Sequence, residues 1–357
     1  MKQHKNGEKR TSMAAIPSTS CGMLPQKMVD IAQSIIPITR ARRVFKHHKD
    51  TVTGVIVFPS GRRMVTASAD STLCLWNLKA GGVLKEMEAH CEGVRAVAVS
   101  GNSKLIASGD WNGELIVWDG DTDGSLTGVI QAHSGPISSL DFSPDSAVLA
   151  TVSSDKTINL WRTDTWQIQG NPVNVGEGIY CVRFSPSGNL LAIATGQYIQ
   201  IWNRSGLECI AKWTANCISL AWTPDGTRLL SGGSQEDATI REWDTSTWKQ
   251  VGDPWSGHTN TIRALAINSA GTLLASASRD NHVRLWRISD RQVVAAFNHS
   301  ASVCCVTFSA DGKHILCGGA DKNITEWGVS ESAFLEDSST AEISCVSFSS
   351  FTVPLFI

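Results

Sequence analysis

Seven tryptophans, Trp76, Trp118, Trp161, Trp202, Trp243, Trp286 and Trp327, recur at intervals of 42, 43, 41, 41, 43 and 41 residues. A fixed period in the forties marks one supersecondary unit copied along the chain, each copy burying its apolar face only against its neighbours. Every one of these tryptophans ends an alternating apolar run: LCLW, LIVW, INLW, IQIW, IREW, VRLW and ITEW. Alternation of that kind belongs to a strand half-buried on one face. Copied units build a surface; a reaction centre needs a single constellation.

The period divides further. In the third copy His133 opens the unit, ISSLDF reads as a first strand, SPDSA as a turn, VLATVS as a second strand, SDK as a tight turn and TINLW as a third strand closed by Trp161. The sixth copy repeats this order from Gly257-His258 to Trp286. A less regular fourth strand (GVLKEMEAH, WQIQGNPV, QVVAAFNH) completes each period. The expectation is an all-β chain, a seven-bladed β-propeller of four-stranded antiparallel blades over 44–340. Radial closure of such a ring leaves no long strand edge bare.

These residues resemble the WD-repeat family of β-propellers from about residue 44 to the C-terminus. The signature dipeptide stands at Trp118-Asp119 and Trp243-Asp244, and Gly-His at Gly257-His258. The resemblance implies a hydrogen-bonded chain of His, Ser/Thr, Asp and Trp inside each blade. Carried over residue by residue, that set is His48, Ser68, Asp70 and Trp76 in the first repeat. In the third it is His133, Ser153, Asp155 and Trp161, and in the sixth His258, Ser278, Asp280 and Trp286. A buried indole N–H, hydroxyl and imidazole each require partners, and a linked chain satisfies all of them. Ser, His and Asp together also invite a hydrolase reading, but a nucleophilic site needs one copy in a cleft, whereas this trio occurs three times beside a Trp.

Some repeats depart from the pattern. The second has Asn112 at the Asp position and Asp110 at the hydroxyl position; the seventh has Gly319 there. The fifth inserts a residue and carries Thr214 in place of His, and the fourth lacks both His and Asp. Blades four and five are therefore expected to be the softer arc of the ring.

The resemblance further implies a docking face at the rim of the central channel, built from three positions per repeat. Most hold small residues here, among them Thr53, Ala69, Ser138, Ser154 and Ala320. The exceptions are Arg95, Trp111, Tyr180, Glu236, Arg263 and Arg279, and Arg, Trp and Tyr are the types that dominate interface hot spots. Two arginines in the sixth repeat form a fork for a carboxylate or phosphate. The competing reading is that they are solvated side chains offset by Glu236.

Composition narrows the rest. Hydrophobic residues make up 42% and charged residues 18% of the 357, as in a globular domain. No apolar run approaches the ~20 residues of a membrane helix, and the N-terminus lacks a signal-peptide core. Ten cysteines contain no CxxC pair, and Cys74, Cys181, Cys304, Cys305, Cys317 and Cys345 sit in apolar strand runs, so they read as buried thiols of an intracellular protein. The cytoplasm, or the nucleus, is the compartment expected. Residues 1–50 hold ten Lys/Arg against three Asp/Glu, and the remaining 307 hold 21 against 30, so a basic arm precedes an acidic body. That arm, residues 1–43 with a short helix over 28–36, is either a solvated tail or a contact for nucleic acid or an acidic partner.

Asp119-Gly120-Asp121-Thr122-Asp123-Gly124 begins like a calcium loop, but its twelfth position is Ile130 where a bidentate Glu is required. No nucleotide-binding glycine loop occurs, so no metal and no cofactor is expected. Residues 341–357 read as a truncated eighth repeat or a packed closing tail. The reading that emerges is a non-enzymatic scaffold for protein or peptide partners, acidic or phosphorylated ones included, with no membrane contact. The alternatives are a recognition module of a larger assembly, of signalling-ATPase or ubiquitin-ligase type, and a fragment of a longer repeat protein.

Overall fold

The computed structural model describes residues 40–330 apart from Ala89 and Asp123, together with Ala333. The expected helix over 28–36, nearly all of the basic arm and the segment 341–357 lie outside the described residues. So does Cys345.

Seven antiparallel sheets follow one another along the described chain. The first blade shows the plan: Val52–Val57 innermost, then Arg63–Ser68, Thr72–Asn77 and Val83–Glu88 outermost. Its third strand is buried over five consecutive residues and its second over another five, because adjacent blades cover both of their faces. The outer strand has the pattern of an edge, with Leu84, Lys85 and Glu88 exposed. Inner strands contact inner strands around the whole circuit, from the first blade through Val94–Val99, Ile137–Phe142, Cys181–Phe184, Cys217–Trp222, Ile262–Ile267 and Val303–Phe308 back to Val52–Val57. The ring is closed at seven.

Closure is made by the strand that precedes the first repeat. Arg43–Lys46 pairs with Asn323–Gly328 and supplies the outer strand of the seventh blade, so one sheet joins both ends of the ring. Arg43 reinforces the seam through an ion pair with Glu326 and a hydrogen bond to Leu78 O at 2.6 Å.

The expectation of four strands in every blade needs one correction. The fifth sheet has three, Cys217–Trp222, Arg228–Gly233 and Ile240–Asp244, and its outer edge is reduced to two isolated bridges, Ile240 to Trp255 and Trp243 to Gln250. Pro254 has no N–H to give to a ladder, and Gly252 bends the chain at φ 64°. In blades two and three the outer strands shrink to Ile130–Gln131 and Val173–Asn174.

One irregularity repeats. Where the inner strand meets the second strand the register slips by a residue, between Val52 and Gly54, Val94 and Ala96, Ile137 and Ser139, Cys217 and Ser219, Ile262 and Ala264, and Val303 and Cys305. The residue skipped by each slip leaves the ladder, and a bulge of this kind re-aims its side chain.

Candidate functional site

Two sets of side chains were marked by the sequence, and the fold separates them. One lies inside the blades and one at the channel mouth.

Inside the first blade, Trp76 Nε1–H donates to Thr66 Oγ1 at 2.8 Å, His48 Nε2 lies 2.7 Å from the same oxygen, and His48 Nδ1 lies 3.2 Å from Asp70. The third blade repeats this through Thr151, with Trp161 at 3.0 Å and His133 at 2.8 Å. The sixth does so through Ser276, with Trp286 at 2.8 Å and His258 at 2.7 Å. The linking hydroxyl is therefore not Ser68, Ser153 or Ser278 but the residue two positions earlier. The strand register explains why. Trp76 stands opposite Met64, so Thr66 is its diagonal neighbour on the same face, while Ser68 is one further step away. Ser68, Ser153 and Ser278 instead tie loops together, each donating to a backbone carbonyl (Asp50, Gly135, Asn260) and accepting the amide of Asp70, Asp155 or Asp280.

The second blade, whose Asp110 and Asn112 depart from the repeat pattern, holds a full network. His90 Nδ1 is 3.2 Å from Asp110, His90 Nε2 is 2.7 Å from Ser108 Oγ, and Trp118 donates to that oxygen at 2.9 Å. Asp110 reaches the imidazole from the position that Ser68 occupies in blade one. Glu114 then takes the place of Thr72, and burial together with the adjacent Asp110 pushes its carboxyl pKa up. His90, Asp110 and Glu114 each bring one ligand atom to within 4.8 Å of the others, a cluster that the sequence reading did not single out.

The remaining networks are reduced. In blade four Trp202 donates to Gln200 at 3.1 Å, and in blade five Trp243 donates to Ser231 at 2.9 Å, neither linked to an imidazole. In blade seven the linking hydroxyl is replaced by a thiol, with Cys317 Sγ 3.2 Å from His299 Nε2. Burial lowers the pKa of His48, His90, His133, His258 and His299, against the opposing pull of nearby carboxylates. In blades one, two, three and six the hydroxyl facing the imidazole already accepts an indole, which is an arrangement for rigidity and offers no free nucleophile.

The second set forms a collar. Thr53, Arg95, Ser138, Tyr180, Ile218, Arg263 and Cys304, one residue from each blade, surround a cavity of about 320 Å³ at the channel mouth. Six of the seven are the residues skipped by the register slips. The seventh, Tyr180, donates its amide to Ala194 O just ahead of the Cys181–Ala194 pair. Cys304 and Ile218 belong to this ring and were not singled out from the sequence. Recurrence of one position at the start of each blade's first strand, inside it in six blades and just ahead of it at Tyr180, is the signal that finds them.

Arg95 lies over the Trp111 ring at 4.5 Å from its centroid. Gly93 permits this, since a Cβ there would stand 3.2 Å from Trp111 Cδ1. Trp111 and Tyr180 remain about half exposed, at 48% and 47%. Tyr180 packs on Gly196, where a Cβ would come within 3.0 Å of the ring. Arg263 and Arg279 line a neighbouring groove of about 600 Å³ with Tyr180, Tyr198 and Glu236. Glu236 does not offset them: among the described residues no carboxylate pairs with Arg95, Arg263 or Arg279. Burial lowers the pKa of Arg95 and Arg263, and the charge of Arg263 adds to the effect at Arg95. Below the collar, Asp141 accepts the Phe184 amide at 2.7 Å, and burial pushes its pKa up to about 6 against the field of Arg183.

The sequence profile of the family described as WD domain, G-beta repeat matches residues 40–77, 81–119, 124–162, 169–203, 207–244, 248–287 and 291–327. The chain is 24% identical over 317 residues to a guanine nucleotide-binding protein subunit beta of Zea mays, covering 81% of this chain and 83% of that one. It is 26% identical over 245 residues to a serine-threonine kinase receptor-associated protein of Gallus gallus, with 68% of each covered. It is 21% identical over 333 residues to autophagy-related protein 16 of Arabidopsis thaliana, covering 90% of this chain and 56% of that one.

Proposed function

The chain belongs to the WD-repeat family of β-propellers, and from that premise we propose that it is a non-enzymatic scaffold presenting the collar end of its channel to an anionic segment of a partner protein. The observation that carries this reading is the exposed grouping of Trp111, Tyr180, Arg95, Arg263 and Arg279 around one mouth. Residue types that anchor interfaces stand there half exposed, on rigid strands, with no described carboxylate answering the guanidinium charge. Relatives whose names are those of a G-protein subunit, a receptor-associated protein and an autophagy factor are consistent with use as an interaction module. The eight described cysteines that are free thiols suit the reducing cytoplasm or nucleus.

The test is affinity capture with the full chain and with Arg263→Glu/Trp111→Ala. Both substitutions lie outside the blade networks, so folding is retained and partners captured by the wild type are lost. Retention of every partner by a folded double variant sinks the assignment of this face.

A further inference from the structure

The long polar side chains of the collar stand on alternate blades: Arg95 on the second, Tyr180 on the fourth and Arg263 on the sixth. The positions between them hold the shorter, uncharged Thr53, Ser138, Ile218 and Cys304. In a ring of seven, the second, fourth and sixth members face one another across the axis, so two guanidiniums and a phenol converge on the mouth as three arms. Arg95 and Arg263 stand near enough for the charge of the second to oppose that of the first.

Unanswered donors gather at the same place. Arg263 Nε and Ser138 Oγ are buried without a hydrogen-bond partner. A buried donor left unmade is costly, and a cluster of them beside uncompensated charge marks the place of a ligand with acceptor oxygens. A carboxylate offers two coplanar oxygens that a single guanidinium saturates. Three arms around an axis match instead the diverging oxygens of a tetrahedral group carrying close to two negative charges at neutral pH.

We propose that the collar seats a phosphoryl group borne on a serine or threonine of an extended partner segment, held on the channel axis between Arg95, Tyr180 and Arg263. This rests on the scaffold reading and specifies its partner. Ser138 Oγ donates to the same group from the collar wall. The segment leaves the mouth along the adjoining groove, where Gln197, Asn216 and Gln235 offer amides to its main chain and Arg279 meets a flanking acidic residue. The Arg95–Trp111 stack holds one arm in place before the ligand arrives, which reduces the ordering cost of binding.

The experiment uses the full chain against arrays of degenerate peptides centred on phosphoserine or phosphothreonine, on unmodified Ser/Thr, and on Glu. Phosphorylated peptides are expected to bind about tenfold or more tightly than those with Glu, with Arg95→Ala and Arg263→Ala each removing that advantage and Tyr180→Phe reducing it roughly threefold. Should an arginine variant fail to fold, competition on the wild type decides: millimolar inorganic phosphate displaces the phosphopeptides, and an equal concentration of chloride does not. Equal binding of phosphorylated and Glu arrays, or no binding by either, overturns the proposal. So does tighter binding of a free inositol polyphosphate than of any phosphopeptide, which would make the ligand a small molecule. If peptides ignore phosphorylation while partner capture still depends on Trp111 and Arg263, the scaffold reading stands and only the phosphoryl assignment falls.

Discussion

Phe45 lies edge-on to Trp76, with ring centroids 5.6 Å apart and planes at 77°. Phe45 belongs to the strand that completes the seventh blade, whereas Trp76 anchors the network of the first, so this pair fastens the ring at its seam. Both are essentially buried, in a cluster with Val52, Met64, Leu316 and Ile324. Phe45→Ala is expected to cost about 3–5 kcal/mol in denaturant unfolding. Val44→Ala, on the exposed face of the same strand, should stay within about 0.5 kcal/mol. Similar losses for the two would show that the seam does not depend on this contact.

Thr151 and Ser153 separate the two roles of a blade hydroxyl. Thr151→Val leaves the indole N–H of Trp161 and His133 Nε2 unpaired at once, at a cost of about 1–3 kcal/mol. Ser153→Ala loosens a loop and leaves the indole bonded. The amide-type NMR resonance of the Trp161 indole should therefore move in the first variant and hold its place in the second. A shift of equal size in both would return Ser153 to the network.

The unequal networks predict unequal blades. His133 bonds Thr151, Thr157 and Asp155, whereas Thr214, at the corresponding place in the fifth repeat, is exposed at the end of an outer strand. His133→Ala should cost about 1–3 kcal/mol and Thr214→Ala almost nothing. Equal melting temperatures would refute the difference, and hydrogen exchange faster in blades four and five than in blades one to three would support it independently.

The ring and its blade order were legible because both rest on local periodicity, the beat of Trp76 to Trp327 and the alternation before each tryptophan. What could not be read was register. Thr66 and Ser68 share a strand face, and only the pairing of Trp76 with Met64 decides which one meets the indole. The same two-residue ambiguity hid the second network, where Asp110 works from the hydroxyl position and Ser108 supplies the link. Arg95 and Trp111 were each visible as unusual rim residues, but fifteen residues of chain lie between them, and nothing local showed that one lies on the other. Pro254 carries a local sign of the broken edge of blade five, since it has no N–H for a ladder, but a period that gives every repeat a fourth strand passes over it.

Acid is expected to destabilise the ring from a pH just below 7. His48, His90, His133, His258 and His299 are held below the usual imidazole pKa by burial. Their folded values lie under the unfolded value of ~6.5, so the unfolded chain binds more protons once the pH falls past that point. The stability they contribute is complete above ~6.5 and is lost on descent toward the folded values, by up to ~1.4 kcal/mol per pH unit for each imidazole. Asp70, held to about 2, adds a further loss only below its unfolded value near 3.8. Asp141 acts in the opposite sense, because its folded pKa of about 6 makes protonation favourable to the fold. Glu114, whose carboxyl pKa is also raised, acts in the same sense as Asp141. Five imidazoles outweigh these two carboxyls, so melting temperature should fall between pH 7.5 and 5.5. A rise over that interval would contradict neutral imidazoles in the networks.

The thiol in blade seven offers the opposite experiment, a substitution that completes a network. Cys317 Sγ sits 3.2 Å from His299 Nε2, yet Trp327 Nε1 is left without a hydrogen bond of normal geometry. Blades two and six show what an oxygen does at this position, where Ser108 and Ser276 each bridge imidazole and indole within 2.9 Å. Burial raises the thiol pKa far above neutrality, so the sulfur is a weak acceptor for the indole and contributes mainly as a small apolar group. Cys317→Ser should give the Trp327 indole its missing acceptor, stabilising by about 0.5–1.5 kcal/mol before the loss of the larger sulfur is subtracted. Cys317→Ala removes the sulfur and supplies nothing, so it must be the less stable variant. The informative quantity is the difference between these two substitutions, because both delete the sulfur and only one restores the link. A serine variant no more stable than the alanine one would mean that the seventh blade is held by packing around Phe297 and Trp327 alone, whose rings lie 5.1 Å apart.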